Sequence, residues 1–208
     1  MTAIIDYGVG NLFSLVSSFE RIGEKAVITA EKEQIEAAER VILPGVGAFC
    51  DAAKKLEQSG LVPVLHAQIA RGRPVMGICL GMQLLFDRSF EYGQYDGLGL
   101  IHGEIRPISE LVSGLKIPHM GWNALSFAAQ KHPLFRYLDE GEYVYFVHSF
   151  CGVNCEKSVI ATAEYGVALT AAVAEKNVLG CQFHPEKSGD AGLRILRAFC
   201  EMKEGDLC

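Results

Sequence analysis

The sequence predicts an α/β fold: a mostly parallel central sheet flanked by helices, with an antiparallel extension. Two observations carry this. Up to Ile78, short apolar runs alternate with stretches of helical period, and strands separated by helices pair in parallel and are covered on both faces. Beyond Gly93, closely spaced strand candidates are separated by turn residues, which is the pattern of antiparallel hairpins.

Taken in order, residues 3–6 read as the first strand. Asn11 then stands where a helix cap belongs, followed by Leu12, Leu15, Val16, Phe19 and Ile22 on one face and a stop near Gly23. Ala26–Thr29 and Arg40–Leu43 are the next strands, the second halted by Pro44-Gly45. Helices over 48–58 and 61–71 lead to a strand at Val75–Ile78, and a short helix follows at 82–87. In the second half, strands are expected at 98–101, 104–108, 123–127, 143–147, 159–164, 169–174 and 178–183. A helix over 191–202 returns to the α/β layer. With no repeat, linker or low-complexity segment, one domain spanning 1–208 is the economical reading, and the length suffices for one well-buried core.

Composition narrows the function classes. The net charge of −6 comes without a Lys/Arg cluster, so no nucleic-acid partner is expected. No apolar run reaches bilayer length, so no membrane span is expected. Met1-Thr2-Ala3-Ile4-Ile5-Asp6 lacks the basic and apolar regions of a signal peptide, so the mature chain is expected to begin at or near Met1 and to be cytoplasmic. Seven cysteines form an odd set in a chain without an export signal, and six of them are expected to be buried, reduced thiols.

The seventh is different. In Gly77-Ile78-Cys79-Leu80-Gly81 a strand runs into a helix with the cysteine at the turn, the G-x-nucleophile-x-G elbow with sulfur in place of oxygen. The flanking glycines suit a tight turn, and the amide of Leu80 faces an oxyanion formed at an attacked carbonyl. The base is sought among six histidines. His184, in His184-Pro185-Glu186 just past a strand, has a carboxylate two residues on, and an extended segment would turn both to one side. A metal-ligand reading of H-x-E lacks further ligands at suitable spacing, so no metal is expected. The stretch 43–49, with glycines around Val46, can present backbone N–H groups to developing negative charge.

Gly77-Ile78-Cys79-Leu80-Gly81-Met82-Gln83 and His184-Pro185-Glu186 resemble the signatures of the triad (class I) glutamine amidotransferases, in the same chain order. The resemblance implies a flavodoxin-like fold, a Cys79–His184–Glu186 triad and no cofactor. It also implies that Cys79 attacks the side-chain amide of glutamine and releases ammonia, with Leu80 and Val46 amides as the oxyanion hole. Gly47, Gln83, Glu91, His148, Ser149 and Phe150 would line the glutamine pocket. The stretches 6–12, 43–49, 118–123, 145–149 and 185–188 are similar to one branch, the glutaminase subunits that pass ammonia to a (β/α)8-barrel cyclase in histidine biosynthesis. That similarity implies a heterodimer in which Asn11, Met120, Trp122 and Lys187 face the partner. The family often has Tyr where this chain has Phe150, and residues 89–93 are more aromatic than usual.

Overall fold

The computed structural model describes residues 1–202. In chain order the first half comprises β1 (Thr2–Ile5), α1 (Leu12–Arg21), β2 (Ala26–Thr29), α2 (Lys32–Ala37), β3 (Arg40–Leu43), α3 (Phe49–Gln58), α4 (Val62–Ala70), β4 (Val75–Ile78) and α5 (Leu80–Leu84). The second half adds β5 (Phe86–Ser89), β6 (Tyr95–Asp96), β7 (Ile101–Pro107), β8 (His119–Ala124), β9 (Ser126–Phe127), β10 (Tyr143–His148), β11 (Phe150–Val153), β12 (Val159–Glu164), β13 (Ala168–Glu175), β14 (Val178–Cys181) and α6 (Gly189–Glu201).

Eight strands form the main sheet in the order β2-β1-β3-β4-β14-β13-β12-β9. From β2 to β14 all pairings are parallel, and from β14 to β9 all are antiparallel. Alternate residues of the parallel strands feed two separate cores. Ile4, Ile42, Met76 and Ile78 pack with Leu15 and Phe19 of α1 and Ile195, Leu196 and Phe199 of α6. Ala3, Ile5, Val41, Leu43 and Val75 pack on the other face with Phe49 and Leu56 of α3 and Leu65 of α4. Two small sheets stand beyond the main one: β8 with β10, antiparallel, and β11-β7-β5-β6.

Several expectations change at this level. The helix after Cys79 starts at Leu80 and stops at Leu84, because Phe86–Ser89 is drawn into parallel pairing with β7. Residues 98–100 are loop and only Ile101 is strand, as the start of β7: the amides of Leu98 and Leu100 donate to the carbonyls of Leu84 and Leu85, tying this loop to the end of α5. Met120-Gly121-Trp122, given no element by the sequence, lies within β8, which pairs along its length with β10. The region expected as a strand over 123–127 is instead the end of β8 and the separate short β9. Asn11 occupies the N-cap position of α1 but its side chain makes no capping bond. The six described cysteines are free thiols, all buried except Cys50, while Cys208 lies outside the described residues.

Candidate active site

Cys79 sits between β4 and α5, at the carboxyl end of the parallel strands, where open α/β sheets bind ligands. Its backbone has φ 54° and ψ −113°, a left-handed conformation that side chains rarely adopt and that stores about 1–3 kcal/mol. Three glycines lock it there, Gly77 in β4, Gly81 in α5 and Gly45 in the loop after β3. A Cβ on Gly81 would lie 1.9 Å from the Leu43 carbonyl oxygen, one on Gly77 would lie 2.5 Å from the Gly81 oxygen, and one on Gly45 would lie 2.6 Å from the Gly81 nitrogen. The glycines are therefore required by close backbone approach, and the loop after β3 is pressed against the elbow.

Strand β14 lies parallel to β4, and the Cys79 amide donates to the Cys181 carbonyl at 2.7 Å, which brings the segment after β14 beside the sulfur. His184 and Glu186 are joined not by an extended chain, as expected, but by a 3-10 turn at Pro185–Lys187. That turn still brings His184 Nδ1 within 2.8 Å of Glu186 Oε1, with the two side chains only 3% and 2% exposed. The Nδ1–H donates to the carboxylate, which leaves Nε2 as the nitrogen available for proton transfer. Nε2 is buried without a well-aligned hydrogen bond, the loose geometry common in unliganded sites. Burial opposes charging of this imidazole, but the Cys79 sulfur and the Glu186 carboxylate outweigh it and bring its pKa up to about 9.

A cavity of about 350 Å³ opens over this group. Cys79 and His184 line it together with Leu80, Val46, Gly47, Gln83, Glu91, His148, Ser149, Phe150 and Lys187. Every pocket residue expected from the sequence is thus gathered in one place. Leu80 is the first residue of α5, so its N–H has no intrahelical acceptor. The loop carrying Val46 is tethered by the buried Tyr7, whose hydroxyl donates to the Pro44 carbonyl at 2.7 Å. Glu91 accepts the Phe49 amide at 2.7 Å, and burial pushes its carboxyl pKa up. His148 does not offer a free nitrogen. Its Nδ1–H donates to the Phe150 carbonyl at 2.8 Å and its Nε2 is 2.9 Å from His119 Nδ1. Burial drives its pKa down to about 3, so it stays neutral.

Asn11, Met120 and Trp122 lie outside the cavity. Met120 and Trp122 project from one face of β8, 65% and 55% exposed, and Trp122 meets Tyr145 edge-on at 6.1 Å. One buried residue beside the sulfur was not singled out in the sequence. Gln182 is fully buried, with Nε2 3.8 Å from the Cys79 sulfur. Its one signal was that it is the only polar residue in the apolar run 178–183. His119 stacks on Phe146 at 4.7 Å and Tyr165 at 4.3 Å, a satisfied packing role.

A cavity that pairs an elbow cysteine with a carboxylate-held histidine points to acyl-transfer chemistry. The sequence profile described as "Glutamine amidotransferase class-I" matches residues 3–202. This chain belongs to the class-I glutamine amidotransferases. Two similar relatives are both described as "Imidazole glycerol phosphate synthase subunit HisH". The one from Wolinella succinogenes is 46% identical, covering 97% of this chain and 100% of its own length. The one from Geobacter sulfurreducens is 48% identical, covering 97% and 98%. A solved structure, "Crystal structure of glutamine amidotransferase", shares the fold with a TM-score of 0.74 at 19% identity, covering 96% and 97% of the two chains.

Elsewhere on this amidotransferase a larger hollow of about 600 Å³ is lined by Cys151, Cys155 and Thr170 among others. Burial drives the pKa of Cys151 up to about 12 and raises that of Cys155, so neither thiol suits nucleophilic chemistry. Among the described residues no cluster of His, Cys, Asp or Glu could hold a metal ion, and no helix is long and apolar enough to cross a membrane.

Proposed function

We propose that this amidotransferase is the cytoplasmic glutaminase subunit of an imidazole glycerol phosphate synthase, a single domain that delivers ammonia to a (β/α)8-barrel cyclase. The observation that carries the reading is that nucleophile, base, candidate oxyanion donors and glutamine-pocket residues line one cavity. Its volume suits a free amino acid and is too small for a folded substrate. The names of the full-length relatives supply the synthase.

In this reading the Cys79 thiol passes its proton to His184 Nε2 as the sulfur attacks the side-chain amide carbon of glutamine, and the developing oxyanion is met by the amides of Leu80 and Val46. His184 gives its Nε2 proton to the departing nitrogen, releasing ammonia and leaving a glutamyl thioester. It then takes a proton from water, whose oxygen attacks the thioester carbon, and returns that proton to the sulfur as the C–S bond breaks, so that glutamate leaves and the thiol is restored. Glu186 holds the imidazole in one tautomer and balances its charge. Gly47, Gln83, Glu91, Ser149 and Phe150 bind glutamine. Met120 and Trp122, with Asn11 and Lys187, face the cyclase, and a large exposed aromatic is the type of side chain that anchors an interface.

The test is glutamate release from glutamine, measured with and without a barrel cyclase carrying its nucleotide substrate, for the wild type and Cys79→Ala. Release that rises with the loaded cyclase and disappears in the variant is expected. Release indifferent to the cyclase would move the chain to another synthase, and release that survives in Cys79→Ala would overturn the nucleophile.

A further inference from the structure

A chain of hydrogen bonds leads from the nucleophile into the protein, and its direction can be worked out from its fixed ends. The Phe150 carbonyl can only accept. Gln83 reaches it at 3.2 Å, so the atom facing it is Nε2. The same Nε2 lies 3.0 Å from the Gln182 side chain, whose facing atom must then be Oε1. The other end of the Gln182 amide, 3.8 Å from the Cys79 sulfur, is consequently an N–H donor. On the far side of Phe150 the same logic continues: His148 Nδ1 donates to that carbonyl, so its Nε2 accepts from His119. His119 Nε2 then accepts from the Asn123 amide, whose nitrogen also meets the Glu164 carbonyl at 2.8 Å. Two backbone carbonyls, of Phe150 and Glu164, thereby set every side-chain orientation in the network without choice.

We infer that Gln182 is a positioning residue for glutamine hydrolysis, its buried amide donating to the Cys79 sulfur while its carbonyl holds Gln83 in a single orientation. The inference rests on the glutaminase reading of the cavity. The donor arm favours sulfur carrying negative charge, because a hydrogen bond to an ionised acceptor is roughly twice as strong as one to a neutral acceptor. The acceptor arm has a consequence for recognition. Both hydrogens of Gln83 Nε2 are taken, by Gln182 and by Phe150, so the group Gln83 has left for the cavity is its carbonyl oxygen. A ligand that meets Gln83 must offer an N–H, as the amino group or amide of glutamine does. A carboxylate placed there would find no donor.

The two arms separate experimentally. Gln182→Met removes both, Gln83→Met removes only the pocket-facing one, and Gln182→Asn keeps an amide but withdraws it from the sulfur by one methylene. Two quantities are measured: the rate of Cys79 alkylation by iodoacetamide, read on the Cys79 peptide, and the kcat and KM for glutamine in complex with the barrel cyclase. Alkylation and kcat should fall about tenfold or more in Gln182→Met and Gln182→Asn, and alkylation should stay within about threefold of wild type in Gln83→Met. KM should rise about tenfold in Gln182→Met and Gln83→Met. Folded Gln182 variants that alkylate at the wild-type rate would overturn the donor arm. An unchanged KM in Gln182→Met would overturn the acceptor arm. Gln182-dependent alkylation in a chain that releases no glutamate would support the donor arm while overturning the glutaminase reading.

Discussion

Replacing Glu186 with glutamine keeps the shape of the triad and removes the carboxylate charge beside the imidazole. Oε1 of the new amide still accepts from His184 Nδ1, so the tautomer is retained. What is lost is the carboxylate's part in holding His184 protonated. The rise of that imidazole from 6.5 to about 9 corresponds to about 3 kcal/mol at about 1.4 kcal/mol per pH unit. Cys79 and Glu186 together supply this net rise and also offset burial, so an even share for the carboxylate is about 2 kcal/mol or more. Because the folded-state pKa is the higher one, the stabilisation is complete below the unfolded value near 6.5 and is lost as pH rises through about 9. Urea denaturation at a series of pH values should show the wild type losing up to about 3 kcal/mol across that window and Glu186→Gln losing half of that or less. Steps that need a charged imidazole should slow by about 30-fold in the variant. Parallel stability curves for the two proteins would refute the assignment of Glu186 as the group that sets the His184 charge.

Two further changes probe the frame and the proposed interface. Gly81→Ala drives a methyl against the Leu43 carbonyl, 1.9 Å away, and should cost at least about 3 kcal/mol, lowering the melting temperature by about 6–12 °C with loss of activity; a variant melting with wild type would show that the elbow relaxes freely. Trp122→Ala should weaken binding of the barrel cyclase by about 2 kcal/mol or roughly 30-fold in Kd, while the free chain changes by about 1 kcal/mol or less because the ring is largely exposed; an unchanged Kd in titration calorimetry would place the cyclase elsewhere.

The parallel half was readable because its signals are local. The strands at Ala26–Thr29, Arg40–Leu43 and Val75–Ile78 run as their apolar runs do, and α1 buries Leu15 and Phe19 from its predicted face while Phe13 stands 84% exposed. The elements that escaped are decided by distant partners. Strand β5 exists because β7 comes to lie beside it, and the loop over 98–100 because its amides find the end of α5. The short charged α2 carries too few apolar positions to announce a period. In the site, Cys79 and the His184–Glu186 pair were legible from spacing, but their meeting depends on β14 lying next to β4 across a long insertion, which no local pattern encodes. Gln182 was hidden for the same reason, since its contacts reach Gln83 and Cys79, about a hundred residues away in sequence.

The three interlocked glycines make the nucleophile a property of assembly. Gly45 follows β3, whereas Gly77 and Gly81 flank the cysteine, and the strained backbone at Cys79 is held only when both segments are seated against each other. A partly folded chain would let the cysteine relax to an ordinary turn and become one more buried thiol among several. Reactivity is thus withheld until the sheet is complete, and an intact elbow certifies that the β3 and β4 ends have come together. The same contact gives movement of the 44–47 loop a direct path to the sulfur, through backbone atoms with no side chain between to absorb it.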